Sequence, residues 1–444
     1  MKRLFGTDGI RGVANRDVTP ELALRLGEAA CRELGSSQPK FVVARDTRLS
    51  GPMLESALTA GITAAGGEVL RCGVLPTPAV AFLARHLRAD GGVVVSASHN
   101  PFEDNGIKFF GPKGAKLDDA AERRIEKAVE RSSDRPEGAG VGRVVEVREA
   151  EELYVEHATA ALEGRSLAGL KVVLDCAHGA AFRTTPEAFR RAGADVVPVS
   201  VEPDGTNINQ ACGSGHPEVV AEQVRSVGAD LGLAHDGDAD RVIAVDEAGG
   251  TVDGDAMIAI LASELAEAGR LNGNLVVSTV MANLGFRRAI AREGLSLHET
   301  PVGDRYVAEA MAEKGAVIGG EQSGHIIMTD FSTTGDGLIT GLRLSARVVS
   351  TGRKLSELAS AVERYPQVLV NVRVPDPRAA SSSAQVRALI EDAERAMRGS
   401  GRVLVRPSGT EPVVRVMVEC LEPETANEVA EGIAEAIRKH EPPP

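Results

Sequence analysis

The chain repeats one order of predicted secondary structure three times. Each copy reads as strand, helix, strand, helix and strand, and the strands are short runs rich in valine and leucine. The predicted strands are residues 41–44, 68–71 and 92–96 in the first copy, 171–175, 195–199 and 230–234 in the second, and 274–279, 296–299 and 316–319 in the third. Strands that alternate with helices predict βαβ units with right-handed crossovers, and therefore α/β domains with mixed, largely parallel sheets.

A smaller segment of different character follows the three copies. Residues 367–374 alternate like a half-exposed strand, residues 384–397 have the period of an amphipathic helix, and further strands and a last helix follow. This pattern predicts a C-terminal α+β domain, with a hinge near residues 364–366. Because 444 residues are too many for one core, we predict four domains with these bounds: 1–155, 156–252, 253–365 and 366–444.

Composition excludes several classes of protein. A net charge of −13 argues against nucleic-acid binding, which needs a broad basic surface. No stretch is apolar enough for a membrane span, and the start MKRLFGTDGIRG has no apolar segment typical of a signal peptide. The five cysteines lack metal-binding spacing and are typical of reduced thiols. We therefore expect a cytoplasmic protein with no nucleic-acid or membrane partner.

A polar loop follows the third strand of each copy. These loops are SASHNP at residues 96–101, HDGDADR at 235–241 and GEQSGH at 320–325. The carboxyl ends of strands in open α/β sheets are where ligands bind, so Ser98 and His99 are well placed for chemistry. Taken alone, each loop could be an ordinary polar turn, and the first could simply cap a helix. Three equivalent loops predict a common cleft.

The second loop carries the most specific chemical signal. Asp236, Asp238 and Asp240 alternate with small residues, so three carboxylates can turn to one point. Like charges this close would raise one another's pKa unless a cation lay among them, and oxygen ligands in a small site suit Mg²⁺. A calcium-binding EF-hand also begins with this spacing, but Arg241 replaces the glycine of its sixth position and the flanks read as strands. A solvated acidic turn is the other alternative.

Candidate anion-binding groups lie elsewhere. RPSGTEP at residues 406–412 offers a guanidinium, two hydroxyls and a glycine turn, with Arg415 on the strand that leaves it; an ordinary turn explains the loop equally well. Arg11, Arg45 and Arg48 also lie near glycines. Their alternative interpretation is a set of surface salt bridges around turns.

Together these motifs resemble a known family. FGTDGIRG, SASHNPFEDNGIKFF, DGDADR, GEQSGH and RPSGTEPVVRVMVE, in this order over nearly the whole chain, resemble the α-D-phosphohexomutase superfamily. NINQACGSGHPE at residues 207–218 and Gln322 favour its amino-sugar branch, whereas Gly215 stands where that branch is expected to have threonine. The resemblance implies four domains around a central cleft, three of them related in fold and a fourth of different topology.

The resemblance also implies roles for individual residues. Ser98 would be phosphorylated, and its phosphate would complete a Mg²⁺ site made by the three aspartates. Lys108 and Arg241 would neutralise charge on the transferred group, and Lys108 or His99 would move the proton. The substrate-binding set would be Arg11, Glu321, Ser323, His325, Arg406, Ser408, Gly409, Thr410 and Arg415; within it Glu321 and Ser323 would bind sugar hydroxyls, and His325 would assist proton transfer.

The implied activity is reversible conversion of glucosamine 6-phosphate to glucosamine 1-phosphate through a 1,6-bisphosphate, supplying UDP-N-acetylglucosamine and cell-wall precursor synthesis. A hexose 1,6-bisphosphate would act as activator, and the enzyme would be a homodimer. Three alternatives stay open: a phosphoglucomutase or phosphomannomutase with the same groups, a metal-dependent sugar phosphatase, and a catalytically silent sugar-phosphate binding protein.

Overall fold

The chain was analysed as a computed structural model, which describes residues 4–6, 8–131, 135–397, 399–408 and 412–439. These residues form two compact units. One unit contains the described residues up to Met281 together with Glu293–Ala361. The other contains Ala282–Arg292 and the described residues from Val362 onward. Among the described residues, no helix combines the length and the apolar character needed to cross a membrane.

The first sheet of the larger unit has six strands. Its elements are β1 (Ile10–Val13), α1 (Pro20–Leu34), β2 (Lys40–Arg45), α2 (Gly51–Ala64), β3 (Glu68–Val74), α3 (Thr77–His86), β4 (Gly91–Val95), β5 (Asp104–Phe110), α4 (Asp119–Val129), β6 (Val144–Glu146) and α5 (Ala150–Ala160). The strand order is β1-β5-β4-β2-β3-β6. Every residue of β4 is buried, as its run of β-branched valines predicts for a central strand.

The second sheet has five strands in the order β11-β10-β9-β7-β8. Its elements are β7 (Lys171–Asp175), α6 (Thr184–Arg191), β8 (Asp195–Val199), α7 (Pro217–Val227), β9 (Leu231–His235), β10 (Val242–Asp246) and β11 (Thr251–Val252). The pairs β7–β8 and β7–β9 are parallel, whereas β9–β10 is antiparallel with His235 opposite Val242. The loop with the three aspartates therefore joins the two strands of a hairpin.

The third sheet has four strands in the order β13-β12-β14-β15. The elements of this part of the chain are α8 (Gly254–Glu267), β12 (Leu275–Thr279), α9 (Leu284–Arg292), β13 (Ser296–Thr300), α10 (Asp304–Lys314), β14 (Ile318–Gly320), β15 (Ile326–Met328), α11 (Gly337–Thr351) and α12 (Leu355–Ala359). Strand β12 pairs in parallel with β13 and β14, and β14 pairs antiparallel with β15.

The three sheets share one device that the sequence did not predict. The third predicted strand of each copy is followed by an antiparallel return strand, which gives the hairpins β4–β5, β9–β10 and β14–β15. For residues 235–241 the sequence already indicated strands on both sides of the loop, whereas the return strands β5 and β15 were not predicted. The alternative in which the first loop caps a helix is wrong, because that loop leads into β5. The predicted α/β class with mixed sheets is confirmed, since the strand pairs are parallel in the centre of each sheet and antiparallel where it turns back.

The smaller unit is an α+β fold. Its elements after α12 are β16 (Gln367–Arg373), α13 (Pro377–Ser381), α14 (Ala384–Met397), β17 (Gly401–Pro407), β18 (Val413–Cys420) and α15 (Pro423–Arg438). The sheet is antiparallel in the order β16-β18-β17, and its valines pack with the apolar face of α15. Helix α9 belongs to this compact unit, where Asn283 donates to the carboxylate of Glu419 at 3.1 Å. The predicted domain bounds stay predictions.

Candidate active site

The serine loop (residues 96–101) meets the aspartate loop (residues 236–241) in the larger unit. Ser98 Oγ donates a hydrogen bond to Asp236 Oδ2 at 2.7 Å. One carboxylate oxygen from each of Asp236, Asp238 and Asp240 lies within 4.8 Å of the others. Ser98 and all three aspartates are buried. The structure thus brings together a hydroxyl and three carboxylates that are about 140 residues apart in the chain.

The backbone of Ser98 is held in an unusual conformation. Its φ of +55° lies in the left-handed region, which a residue with a side chain seldom adopts. Ser96 Oγ accepts a bond from the Ser98 amide at 3.0 Å, while the Ser98 carbonyl accepts from Arg48 and from Asn209, both at 2.9 Å. These contacts on both sides of the residue hold the hydroxyl toward Asp236.

Arg48 serves the fold of the serine loop. Its side chain is fully buried and donates to Asp46 and to carbonyls of the serine loop, among them those of Ser98 and Asn100. Arg45 pairs with Glu55 at 3.2 Å. Both arginines form salt bridges, as the alternative interpretation predicted, but the Arg48 pair is buried rather than at the surface. The structure does not support an anion-binding role for either side chain.

Close approach of the two loops depends on Gly237. A Cβ at this position would lie 2.6 Å from the Ser98 carbonyl oxygen, closer than any real side chain. Two residues on, Ala239 has a φ of +53°, so the backbone of the aspartate loop bends back on itself. Gly237 therefore has two roles: it leaves space for the carboxylates on either side, and it lets the serine loop pack against the aspartate loop.

Burial and proximity perturb the three carboxylates differently. Burial, followed by the charges of Asp240 and Asp238, raises the pKa of Asp236 well above its ordinary value. Burial alone would raise the pKa of Asp240 too, but Lys108 and then His325 hold it well below that value. Asp238 Oδ2 accepts from Thr77 Oγ1 at 2.6 Å and from Lys108 Nζ at 2.7 Å.

The donor set fits a hard cation. Asp238 Oδ1 and Asp240 Oδ1 are buried and have no hydrogen-bond partner among the residues that the structure describes. Buried carboxylate oxygens without partners are costly unless a cation neutralises them. The loop joins two strands, β9 and β10, which is not the helix–loop–helix of an EF-hand. Its burial also excludes a solvated acidic turn, so this group could bind a metal ion.

Lys108 lies on β5 and is enclosed by carboxylates. Its Nζ is 2.7 Å from Asp238, 3.0 Å from Asp8 and 3.4 Å from Asp240. Burial alone would lower the pKa of this ammonium group, but the three carboxylates outweigh burial and raise it. Lys108 is therefore a fixed positive charge beside the aspartate loop.

His99 and Arg241 lie at the edge of the same site. His99 Nδ1 is 3.2 Å from Ser98 Oγ and 3.4 Å from Arg241 Nη1. Loss of solvation, then the charges of Arg241 and Arg11, lower the pKa of His99 to about 4, so the imidazole is neutral at pH 7. Arg11 donates to Asp8 and, at 3.4 Å, to Asn100 Oδ1. Arginine charge thus borders the serine loop.

The third predicted loop lies between β14 and β15 and approaches the aspartate loop. Glu321 Oε1 accepts from the Gly303 amide at 3.1 Å, and Ser323 is exposed. His325 is 1% exposed; its Nε2 accepts from the Gly335 amide at 3.0 Å and its Nδ1 lies 3.7 Å from Asp240 Oδ1. In this conformation His325 contacts the aspartate loop and has no surface left for a bound sugar.

Several residues of the site were missed by reasoning from sequence: Asp8, Thr77, Lys116 and Asp304. Thr77 contacts Asp238 with both its hydroxyl and its amide, although 161 residues separate the two. Asp8 belongs to the GTDGIRG motif, where only the arginine was singled out. That motif was the one available signal, since nothing local marks a threonine at the start of a helix as a partner of a distant aspartate.

The smaller unit holds the other predicted cluster. Arg406 on β17 lies directly opposite Arg415 on β18 in the antiparallel register. Burial and the neighbouring charge of Arg415 lower the pKa of Arg406. The Ser408 amide donates to the Val413 carbonyl at 2.8 Å, which closes the turn. Gly409 and Thr410, also predicted here, lie outside the described residues. We call Arg406 and Arg415 the arginine pair.

Comparison with known families identifies the class of this protein. Four domain models described as phosphoglucomutase/phosphomannomutase match the chain: α/β/α domain I over residues 2–136, domain II over 152–250, domain III over 253–365 and the C-terminal domain over 369–436. The chain belongs to this family, that is, to the α-D-phosphohexomutase superfamily. The resemblance found in the sequence motifs is confirmed.

Relatives and solved structures narrow the position within the family. Proteins named phosphoglucosamine mutase are 55% identical in Moorella thermoacetica, over 98% of each chain, and 53% identical in Mycolicibacterium smegmatis, over 98% of this chain and 99% of the relative. A crystal structure of a phosphoglucomutase/phosphomannomutase family protein from Burkholderia thailandensis superposes with a TM-score of 0.81 at 26% identity, covering 99% of this chain and 97% of the other. These relatives confirm the amino-sugar branch.

Proposed function

We propose that this chain is an amino-sugar phosphomutase that interconverts glucosamine 6-phosphate and glucosamine 1-phosphate. The observation that carries the proposal is the buried Ser98 hydroxyl, 2.7 Å from the first of three clustered aspartates. A nucleophile beside a cation site suits phosphoryl transfer. The identity of more than 50% to proteins named phosphoglucosamine mutase, over almost the full length, supports the choice of sugar.

The proposed reaction has two balanced halves. A phosphoryl group on Ser98 Oγ passes to a free hydroxyl of the sugar monophosphate: the Oγ–P bond breaks, a sugar O–P bond forms, and the hydroxyl proton goes to a base. The product of this half is glucosamine 1,6-bisphosphate. In the second half the other phosphoryl group returns to Ser98 Oγ, and its sugar oxygen regains a proton. The enzyme ends as it began, and the phosphate has changed carbon.

Asp236, Asp238 and Asp240 would hold Mg²⁺, together with an oxygen of the phosphate on Ser98. When bound, the cation would neutralise charge on the transferring group and polarise it toward attack. The ionised form of Asp236 is disfavoured by burial and by its neighbours, so the aspartate loop itself needs compensating positive charge. Lys108 and Arg241 supply further fixed charge on either side.

Two groups are candidates for moving the proton. His99 lies 3.2 Å from the oxygen that gains and loses the phosphoryl group. Lys108 is held by three carboxylates, an arrangement that favours a role as a fixed positive charge. We therefore assign charge neutralisation to Lys108 and leave proton transfer to His99 as the first candidate, with Lys108 as the alternative.

The substrate would be held at its two ends. Arg11, Glu321 and Ser323 of the larger unit would contact the sugar and the reacting end. The arginine pair, with Ser408, Gly409 and Thr410, would bind the phosphate that is not reacting, since paired guanidinium groups match phosphate in charge and geometry. His325 would act on the site indirectly, through its contact with Asp240. The wider expectations also stay proposals: activation by a hexose 1,6-bisphosphate, a homodimer, and a cytoplasmic location.

The proposal is tested by measuring turnover of glucosamine, glucose and mannose 6-phosphates with one enzyme preparation. We expect kcat/KM to be highest for glucosamine 6-phosphate, with glucose and mannose 6-phosphates as the comparison. A preference for glucose or mannose would assign the chain to the phosphoglucomutase or phosphomannomutase alternative. Release of inorganic phosphate at the rate of substrate loss would instead support the phosphatase alternative, and binding without turnover would leave a silent binding protein.

A further inference from the structure

Behind the aspartate loop, six buried or largely buried side chains form a closed ring in which acidic and basic groups alternate. The ring runs through Lys108, Asp8, Lys116, Asp304, His325 and Asp240. We call Ser98 and the three aspartates, with the charged groups that contact them, the phosphoryl site; of the six ring members, Asp240 is one of these aspartates and Lys108 contacts two of them. The other members have no role in the reaction proposed above, except that His325 contacts Asp240.

Ion pairs join five members of this charge ring in the order Asp240, Lys108, Asp8, Lys116 and Asp304, and His325 lies between Asp304 and Asp240 without a hydrogen bond to either. Asp8 lies 3.0 Å from Lys108 Nζ and 2.5 Å from Lys116 Nζ. Lys116 also pairs with Asp304. Asp304 Oδ2 is 3.7 Å from His325 Nε2, and His325 Nδ1 is 3.7 Å from Asp240 Oδ1. Asp240 closes the ring on Lys108 at 3.4 Å.

The ring draws on three separate parts of the larger unit. Lys108 and Asp8 come from the strand β5 and the segment next to β1, Asp304 begins α10 beside the third sheet, and Asp240 ends the aspartate loop of the second sheet. A buried charge is costly unless it is paired, and Lys116 has its two ion pairs with Asp8 and Asp304, so this lysine links the two aspartates. The position of Lys108 is thus tied, through Asp8, to Lys116 and Asp304, which have no part in the reaction proposed above.

We infer that Lys116 and Asp304 are positioning residues for phosphoryl transfer. Lys116 holds Asp8 against Lys108, and Asp304 holds Lys116 and flanks His325, so that Lys108 and Asp240 keep the orientation that the reaction needs. This inference rests on the proposed function. It goes beyond that function by assigning a catalytic effect to two residues outside the reacting site.

A cavity on the outer side of the ring supplies a matched control. The cavity has a volume of about 300 Å³, and its lining includes Lys116, Asp304, His325 and Arg305 among both apolar and polar side chains. The Arg305 side chain pairs with Asp119 at 2.8 Å and with Glu309 at 2.9 Å, outside the ring. Its backbone amide contacts a ring member, Asp304, at 2.7 Å, and a side-chain substitution keeps that amide. Arg305→Met removes the same charge from the same cavity without opening the ring.

The test compares kcat and KM of the full-length variants Lys116→Met, Asp304→Asn, Lys116→Arg and Arg305→Met, each checked by thermal unfolding. We expect kcat to fall about 10- to 100-fold in Lys116→Met and Asp304→Asn with KM changed less than about 2-fold, the size typical of groups that orient a site indirectly. Lys116→Arg, which keeps the charge, should recover most of the rate. Arg305→Met should match the wild type.

If a single variant unfolds, the double variant Lys116→Met with Asp304→Asn still tests the inference. Removing both charges leaves no lone buried ion, so its loss in kcat should be smaller than the product of the two single losses. The inference is overturned if Lys116→Met equals Arg305→Met, if the loss lies in KM, or if the losses of the double variant multiply. An inactive wild-type enzyme would instead overturn the proposed function, and the inference with it.

Discussion

The phosphoryl site and the arginine pair treat charge in opposite ways. At the phosphoryl site the lysine and arginine side chains lie beside carboxylates: Lys108 contacts Asp8, Asp238 and Asp240, Arg11 contacts Asp8, and Arg241 lies 3.7 Å from Asp240. At the arginine pair two cations face each other across adjacent strands, and their mutual charge helps to lower the pKa of Arg406. One region balances its own charges, whereas the other places like charges together.

The difference indicates what each region is for. A balanced, buried network holds its groups in one geometry, which suits a site where bonds form and break. Like charges directly opposite each other on neighbouring strands are destabilising, so the arginine pair gains most from an added anion. We therefore expect changes at the phosphoryl site to act on kcat, and changes at the arginine pair to act on binding.

Ser98→Ala should give the largest effect. No other hydroxyl can replace the nucleophile without shifting the line of attack, and we expect turnover to fall about 10⁴-fold or more while substrate binding survives. Steady-state kinetics and a substrate-binding titration measure the two quantities. The hydroxyl to check for rescue is that of Ser96, two residues away; a phosphate label that mapped to Ser96 in an active Ser98→Ala variant would refute the assignment.

Removing the metal site should come next. Chelation should stop activity and Mg²⁺ should restore it, and Asp238→Asn should lower kcat about 10³-fold, the equivalent of several kcal/mol of charge stabilisation. Asp195→Asn, at an exposed position on β8, is the control for loss of one carboxylate. Activity that survives exhaustive chelation would contradict the proposed cation.

Lys108→Met should reduce both rate and stability. We expect kcat to fall about 100- to 10,000-fold if the lysine transfers the proton, and less if it only neutralises charge. Because the change leaves buried carboxylates without their partner, unfolding should become easier by about 3–5 kcal/mol. Lys113→Met, at an exposed position, is the control. Recovery of rate in Lys108→Arg would assign the charge role, and no recovery would favour proton transfer.

Arg415→Ala should act mainly on binding. Loss of one charge-assisted contact to phosphate should raise KM for both monophosphates about 10- to 100-fold, with a smaller change in kcat. The bisphosphate intermediate should also escape more often, so the requirement for added hexose 1,6-bisphosphate should increase. Arg395→Ala, on the exposed side of α14, is the control. Unchanged KM and an unchanged requirement would exclude the arginine pair from the mechanism.

Arg406→Met should give the smallest effect, and with the opposite sign to Lys108→Met. Relief of repulsion from Arg415 should stabilise the ligand-free protein by up to about 0.5 kcal/mol. Thermal unfolding with and without inorganic phosphate measures this, and phosphate should stabilise the wild type more than the variant. Marked destabilisation of the ligand-free variant would show that Arg406 is a structural residue, and the contrast between the two regions would fail.

Sequence reasoning succeeded where the signal was local. The valine- and leucine-rich runs predicted the strands of the three copies to within a few residues, and β7 and β8 with their bounds unchanged. The aspartate spacing predicted a carboxylate cluster, and the structure places the three groups within 4.8 Å. Reasoning from sequence failed at the return strands β5 and β15. A short apolar run after a polar loop does not reveal whether the chain turns back along the same sheet.

Residue types and their spacing along the chain already indicate the kind of chemistry: which side chains are available, in which loops, and at which ends of which strands. Tertiary structure alone decided their partners. Thr77 and Lys108 contact Asp238 although they are 161 and 130 residues away in the chain. Arg48 resembles an anion ligand in the sequence, but its guanidinium group donates to carbonyls of the serine loop. The reason is physical: residue type and local spacing set what a group can do, whereas its charge state and orientation depend on neighbours that only the folded chain brings within a few ångströms.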